Sequence, residues 1–355
     1  MFARVHIAVL VLSLAITSQA QKPLPTTSYT LHTQKVIKDS NGTTFHWTLA
    51  PDNSLLILLW QEDGKLTLKR VSSWQTKAPR EETLTFTGAL PNSDRNIFSE
   101  LILVPGGKFL VIRLRMIHHK RDASGAIKRE AVVAVVDLST FSVLSRVLTT
   151  DSYLVDGGLY LNDHGILMSM NYMQLIPQPG KIYPSGTFGV DATAISVPDM
   201  QPTATCRYNG AYGPKDTQTG ELKRIVMDAS DTCLALLEVA HVSAIDDLPG
   251  SDPIDSRYKD LAGPHCSREN LNKTETLALY RCGTPHLTGG DGDFSFETSR
   301  ALKVLSIPDG KSMLSVPLRF YDDTTSGLFA QSDGHDYLIV LNGLNGTKLE
   351  TYRLP

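Results

Sequence analysis

From residue 44 to the C-terminus, short runs of β-branched and aliphatic residues alternate with turns built from Asp, Asn, Gly and Pro. That spacing restricts the chain to hairpins. Residues 44–49 lead through Pro51-Asp52-Asn53 into 54–60, and 99–104 lead through Pro105-Gly106-Gly107 into 109–115. The same unit recurs at 154–172 around Asn162-Asp163-His164-Gly165, at 224–240 around Ser230-Asp231, and at 328–341 around Ser332-Asp333-Gly334. Gly, Asn and Asp tolerate the positive φ that tight hairpin turns demand. A second hairpin type follows the first. Its clearest copy is 131–136, Asp137-Leu138-Ser139-Thr140 and 142–148; others are 192–197 with Pro198-Asp199-Met200, 302–318 around Pro308-Asp309-Gly310, and, more loosely, 66–71 with 83–86. Helical periodicity is hard to find after the N-terminal segment.

Two hairpins in succession make a four-stranded antiparallel unit, and several such units of ~40–50 residues are the signature of a β-propeller. The expected fold class is therefore all-β: a propeller of four-stranded antiparallel blades, five favoured over six or seven. The C-terminal segment supplies only a third strand, 348–354. The strand-like stretch 29–37 can complete that last blade, which closes the ring and removes an open edge. The fourth and fifth turns of the first type lie about 100 residues apart, roughly double the other spacings. We expect an insertion at about 242–296 within a single propeller domain, 21–355.

The turns resemble those of secreted bacterial propellers of the YVTN and WD-repeat type. Ala50-Pro51-Asp52-Asn53-Ser54-Leu55-Leu56 is similar to their "PDG" turn and strand, as is Gln331-Ser332-Asp333-Gly334 with Tyr337-Leu338-Ile339-Val340 after it. Val135-Val136-Asp137-Leu138-Ser139-Thr140 resembles their second turn. No unit carries a Gly-His…Trp-Asp pair, and Trp47, Trp60 and Trp74 all fall in the first unit. The resemblance implies a bacterial source, a rigid ring, and ligands taken on its faces or in its channel.

Residues 1–20 read as a secretory signal. Arg4 precedes an apolar stretch, 7–16, broken only by Ser13, and Ser18-Gln19-Ala20 offers small residues before a cleavage site. The apolar stretch is well short of the ~20 residues that span a bilayer, and no later stretch is long enough. The chain is thus expected to be secreted or periplasmic, with no membrane span after cleavage. Four cysteines in such a compartment suggest two disulfides, with three connectivities open. The short polar loop between Cys266 and Cys282 favours that pair, leaving Cys206 with Cys233. The formal net charge of −3 excludes the strongly basic footprint of a nucleic-acid binder and argues against attachment to anionic lipid.

Chemistry-bearing motifs are sparse. There is no G-x-S-x-G, no phosphate-binding loop and no C-x-x-C, so no catalytic residue, cofactor or metal is assigned. Gly289-Gly290-Asp291-Gly292-Asp293 does not fit a calcium loop and reads as a flexible turn. His118, His119, Lys120 and Arg121 sit in the long loop expected between Arg115 and Glu130, a basic patch beside Arg113, Arg115, Lys128 and Arg129. Asp255 and Arg257 lie in the acidic insertion, a candidate lid. These six residues are the candidate face-loop contacts. Asn41, Asn272 and Asn345 each begin a glycosylation sequon, two of them as Asn-Gly turns. The expected function is an exported, monomeric, non-catalytic binding or scaffold propeller recognising a protein or polysaccharide through face loops. The alternative is an extracytoplasmic hydrolase of a carbohydrate or lactone with its active site at the central channel. A quinone-dependent dehydrogenase is a third reading, for which the chain is short.

Overall fold

The computed structural model describes residues 23–33, 36, 45–61, 65–86, 95–121, 123–161, 165–182, 187–215, 222–228, 230, 233, 235, 261–262, 266–284, 298–318, 325–342 and 347–355. The expected signal segment, 1–20, and Asp255, Arg257, the 289–293 motif, Asn41 and Asn345 lie outside them.

The described residues are mostly strand, folded as successive antiparallel meanders. After β1 (Thr27–Thr30), the first sheet holds β2 (Phe45–Leu49), β3 (Leu55–Trp60), β4 (Leu66–Ser72) and β5 (Arg80–Phe86). The second holds β6 (Arg95–Leu103), β7 (Phe109–Arg121), β8 (Ile127–Asp137) and β9 (Ser142–Thr149). A single helical turn, α1 (Ser152–Val155), leads to the third: β10 (Gly158–Leu161), β11 (Leu167–Met173), β12 (Phe188–Ile195), β13 (Pro202–Lys215) and β14 (Leu222–Asp228). The fourth is β15 (Cys266–Leu271), β16 (Leu277–Thr284), β17 (Thr298–Ser306) and β18 (Ser312–Pro317). The fifth is β19 (Thr325–Ser332), β20 (His335–Asn342) and β21 (Lys348–Arg353). Among the described residues these are five blade sheets of a β-propeller.

An N-terminal strand completes the last blade as expected, but it is Thr27–Thr30 rather than 29–37, and Val36 instead bridges to Gln61. β1 pairs antiparallel with β21, Thr27 opposite Thr351 and Thr30 opposite Lys348, so the N-terminal strand is the outer strand of the last blade. Thr26 N donates to Thr351 O at 2.7 Å and Leu31 N to Thr347 O at 2.9 Å, bracketing the pairing.

The second strand of each blade explains why the runs are continuously apolar. All six residues of β3 are buried. Leu56, Leu58 and Trp60 join a cluster with Leu110, Ile112, Leu114 and Met116 of the second blade. Leu55, Ile57 and Leu59 join Tyr337, Ile339 and Leu341 of the fifth. Side chains alternate across a strand, so a strand wedged between two neighbours must be apolar on both faces. β8 repeats this: Val132, Ala134 and Val136 face the first blade, and Ala131, Val133 and Val135 pack with Leu154, Leu167 and Ile195 at the third. β20 sends Leu338 and Val340 to the fourth blade, where they meet Leu277, Leu279, Leu302 and Val304.

Four further expectations are corrected. Residues 224–227 belong to β14, which pairs with β13 as a fifth strand, and Cys233, expected to open the return strand of a hairpin at 224–240, is helical; residues 236–240 lie outside the described residues. The cause is local: Cys233 is fully buried against Met168, Met170 and Tyr208 and bonded to Cys206 on β13. The strand expected at 154–161 starts only at Gly158, because α1 precedes it. The segment 242–296 contains β15 and β16, so part of the expected insertion is blade. The long loop expected between Arg115 and Glu130 is mostly strand, since β7 and β8 run on to Arg121 and Ile127.

Both disulfides form as paired in the sequence. Cys266 and Cys282 face each other across β15 and β16, and Cys206–Cys233 ties the segment after β14 to the third sheet. Among the described residues no helix is long and apolar enough to cross a membrane. Because β1 supplies the last blade's outer strand, mature protein truncated to begin at Leu31 is expected to lose roughly 2–4 kcal/mol of backbone pairing. Thermal unfolding followed by circular dichroism should register a Tm about 3–6 °C lower.

Candidate functional site: a cationic hairpin and a turn-lined face

β7 has turns at its two opposite ends, and each end carries a distinct candidate. At one end is the β7–β8 hairpin. Among the described residues, β6 pairs with β7 as far as Arg95 opposite His118, and β9 pairs with β8 from Ala131 onward. Past those points no described strand flanks the two. His119, Lys120, Arg121, Lys128 and Arg129 are exposed along this tip of the hairpin. Residues 118–130 hold four Lys or Arg against Asp122 and Glu130.

The base of the tip is fixed by one carboxylate. Glu130 is buried and meets His118 Nε2 at 2.8 Å and Lys128 Nζ at 2.7 Å. Burial pushes its carboxyl up, but the hydrogen bonds from Lys128 and His118 outweigh it and hold the group below its ordinary range. Arg121 Nη1 closes the tip by donating to Gly125 O at 2.6 Å, and Arg129 pairs with Asp156 at 2.9 Å.

Of the basic residues grouped with this patch in the sequence, Arg113 does not belong to it. Its side chain is fully buried between the second and third blades. It pairs with Glu100 and donates through Nη1 to Leu154 O at 3.2 Å and Gly157 O at 2.5 Å. Burial lowers its pKa and Glu100 opposes that shift. Arg115 lies 3.5 Å from Glu100 and stacks over the Phe98 ring. Both are seam residues. A signal for this was present: in the run Leu110-Val111-Ile112-Arg113-Leu114 both faces are apolar, so Arg113 has no solvent face to point to.

The opposite end of the blades was missed by sequence reasoning. Here the turns linking the first two strands pack against each other from the first blade to the second and from the second to the third. Pro51 of the first blade fills the space where a Cβ on Gly107 would stand, 1.9 Å from its Cγ, and Pro105 likewise lies 2.5 Å from a Cβ on Gly165. Gly107 and Gly165 also have φ of +65° and +75°, so both positions require glycine. Between these turns lies a cavity of about 540 Å³, framed by Asn53 and Pro51 of the first blade, Lys273 of the fourth, and Gln331 and Asp333 of the fifth. A second, of about 290 Å³, lies between Pro51 and Asp52 of the first blade and Lys108 and Ser139 of the second.

The polar groups here are held in place. Asp336 accepts from Asn272 Nδ2 at 3.1 Å and Gln331 Nε2 at 2.8 Å. Asn272 is buried; it donates to Thr274 and Thr276 hydroxyls and accepts from the Thr276 and Leu277 amides. Asp52 accepts from Ser54 N at 3.0 Å and Ser54 Oγ at 2.6 Å. The turns at Pro51-Asp52-Asn53 and Ser332-Asp333-Gly334 were legible singly, whereas that at Asn272 was read only as a sequon within the expected insertion; the convergence of three blades has no local sequence signature.

No family model matches the chain, and no curated protein matches it. Among solved structures it is similar to a glucose dehydrogenase, with a TM-score of 0.32, 10% identity, and coverage of 92% of this chain and 99% of that one. A second glucose dehydrogenase gives 0.30 and 11%, covering 91% and 98%. A Mycobacterium tuberculosis puromycin-hydrolyzing peptidase gives 0.31 and 12%, covering 88% of this chain but 45% of that one, so the chain spans under half its length. These values carry no inference about activity, and the YVTN and WD-type resemblance remains one of blade architecture.

Two outcomes follow. A carboxyl whose folded pKa is depressed adds stability above its unfolded pKa and loses it as pH falls through the folded value. The denaturant midpoint should therefore drop below about pH 4.5, the ordinary value for Glu130. Glu130→Gln should lower stability at pH 7 and flatten that acid limb; an unchanged limb would remove Glu130 from the account. Asn272, sequon or not, should stay unmodified when the folded protein is secreted from a glycosylating host, read by peptide mass.

Proposed function

We propose that this protein is an exported, non-catalytic binding propeller that takes an acidic protein or polysaccharide on the β7–β8 hairpin. The observation that carries this reading is the hairpin's display of cations: Glu130 anchors its base, and Lys120, Arg121 and Lys128 are exposed along it, beyond the pairing of the described β6 and β9. Cations displayed on a rigid support steer and hold an acidic partner, and the attraction weakens with salt. His118 serves as part of the anchor, while His119, Lys120 and Arg121 make the contact. The predicted export and the paired cysteines suit a secreted or periplasmic setting, and the protein works as a monomer.

The hydrolase alternative would draw on Asp333 and Asp336, which line one cavity. Each oxygen of Asp336 accepts one side-chain amide N–H, which fixes the carboxylate in orientation as an anchoring acceptor.

Binding to immobilised heparin, as a sulfated polysaccharide probe, tests the proposal. The double variant Lys120→Glu with Arg121→Glu should weaken binding at least about tenfold and flatten its dependence on salt, with an unchanged Tm. Equal affinity in variant and parent would remove the hairpin as the contact.

A further inference from the structure

The turn-lined face lies at the other end of the blades from the cationic hairpin, and its chemistry differs. We infer that its two adjoining cavities form a second binding site, for a neutral oligosaccharide laid across the first, fifth and second blades.

Shape is the first argument. The cavities share Ala50 and Pro51 as a common wall, so one chain-like ligand can occupy both. The larger, at about 540 Å³, falls within the ~300–1,000 Å³ of small-molecule sites, and the smaller, at about 290 Å³, lies close to its lower end. The wall between them is stiff, because Pro51 is pressed against Gly107 and the turn is closed by Asn53 N to Ala50 O at 2.8 Å. A preorganised site loses little entropy on binding.

Charge is the second. Lys273, Lys108 and Arg70 are balanced by Asp52, Asp333 and Asp336. Arg70 also pairs with Glu82 and donates to Leu138 O at 2.6 Å. A lining of interspersed, closely matched charges offers little to a polyanion or polycation, in contrast to the hairpin.

The third is the pairing of fixed acceptors with apolar surface. Two of the roughly four lone-pair sites of the Asp336 carboxylate are occupied, which leaves acceptors aimed by the protein for hydroxyl donors. Phe329 and Leu49 stand in the same cavity, and Leu56 and Leu138 in the next. A pyranose ring has this dual character, with an apolar C–H face and a rim of hydroxyls. A peptide is a poorer fit. Peptides commonly bind by adding a strand to an open sheet edge, whereas the backbone here is used within its own turns: Ala50 N to Ser54 O, Gly107 N to Val104 O, and Asn272 N to Leu277 O.

Calorimetry of the mature protein with maltohexaose, cellohexaose and laminarihexaose, their disaccharides and glucose tests the inference. At least one hexasaccharide should bind, more tightly than its disaccharide. Gln331→Ala and Lys108→Ala, both at solvent-facing positions of opposite cavities, should each raise its Kd about tenfold. The hairpin double variant should leave that Kd unchanged, which separates this site from the one proposed above. Absence of binding to all three series overturns the inference, as does binding that neither variant weakens. Equal binding of a neutral tetrapeptide such as tetra-alanine also overturns it. Cleavage of the bound oligosaccharide would uphold the site and overturn the non-catalytic reading instead.

Discussion

Everything in this structure depends on the second and third strands of the blades being buried on both faces. A strand on the surface of a sandwich needs one apolar face; a strand inside a propeller blade needs two. β3 meets that demand with Leu55-Leu56-Ile57-Leu58-Leu59-Trp60, whose odd and even members enter different clusters. Fully burying each such side chain contributes ~1.5–3 kcal/mol, an upper figure because unfolded chains already bury part of their surface. Among the described residues, four of the six clusters therefore belong to seams rather than to single blades: fifth with first, first with second, second with third, fourth with fifth. Among the described residues, no single cluster joins the third sheet to the fourth.

Apolar seams are non-directional, and polar groups supply their register. At each described seam a cation from one blade reaches a carbonyl of the next. Arg70 reaches Leu138 O, Arg113 reaches Leu154 O, Arg281 reaches Thr325 O at 2.6 Å, and Lys69 reaches His32 O beside Glu81. Arg113 and Arg281 are both on second strands and both pair with a Glu of the first strand of their own blade. Buried charges of this kind add modest net stability when paired and cost much when one partner is lost. Their geometric role is to fix how far each blade is rotated against its neighbour. That rotation brings the turns of three blades to one cavity and sends the β7–β8 tip away from it.

The fold was legible because its signals are local. Asn53, Asp333 and Gly334 hold the positive φ their turns need, at +65°, +51° and +75°. The Asp137 carboxylate caps its turn through Ser139 N at 2.8 Å, as an Asp opening such a turn should. The missing outer strand of the last blade pointed to β1, and two cysteines a short loop apart pointed to each other. What was illegible is what depends on neighbours distant in sequence. Lys120 and Arg121 could be named as exposed cations, but not that Glu130 would anchor them. Arg113, one of the same basic cluster, turned out to be buried. Asn272 could be read as a sequon, but its bond to Asp336, sixty-four positions on, could not. The β14 edge strand and helical Cys233 escaped because the disulfide to β13 overrides a hairpin-like local pattern.

Native-state hydrogen exchange on the mature chain tests the central claim most directly. If the seams hold the ring as one unit, amides of β3, β8 and β20 should exchange only through global unfolding, with one shared opening free energy and one shared denaturant dependence. Central amides of each strand should be slow alike, although the strands lie in three different blades. Should β3 and β8 open in separate phases with smaller denaturant slopes, each blade would be stable by itself. The shared clusters would then not be what holds the structure together.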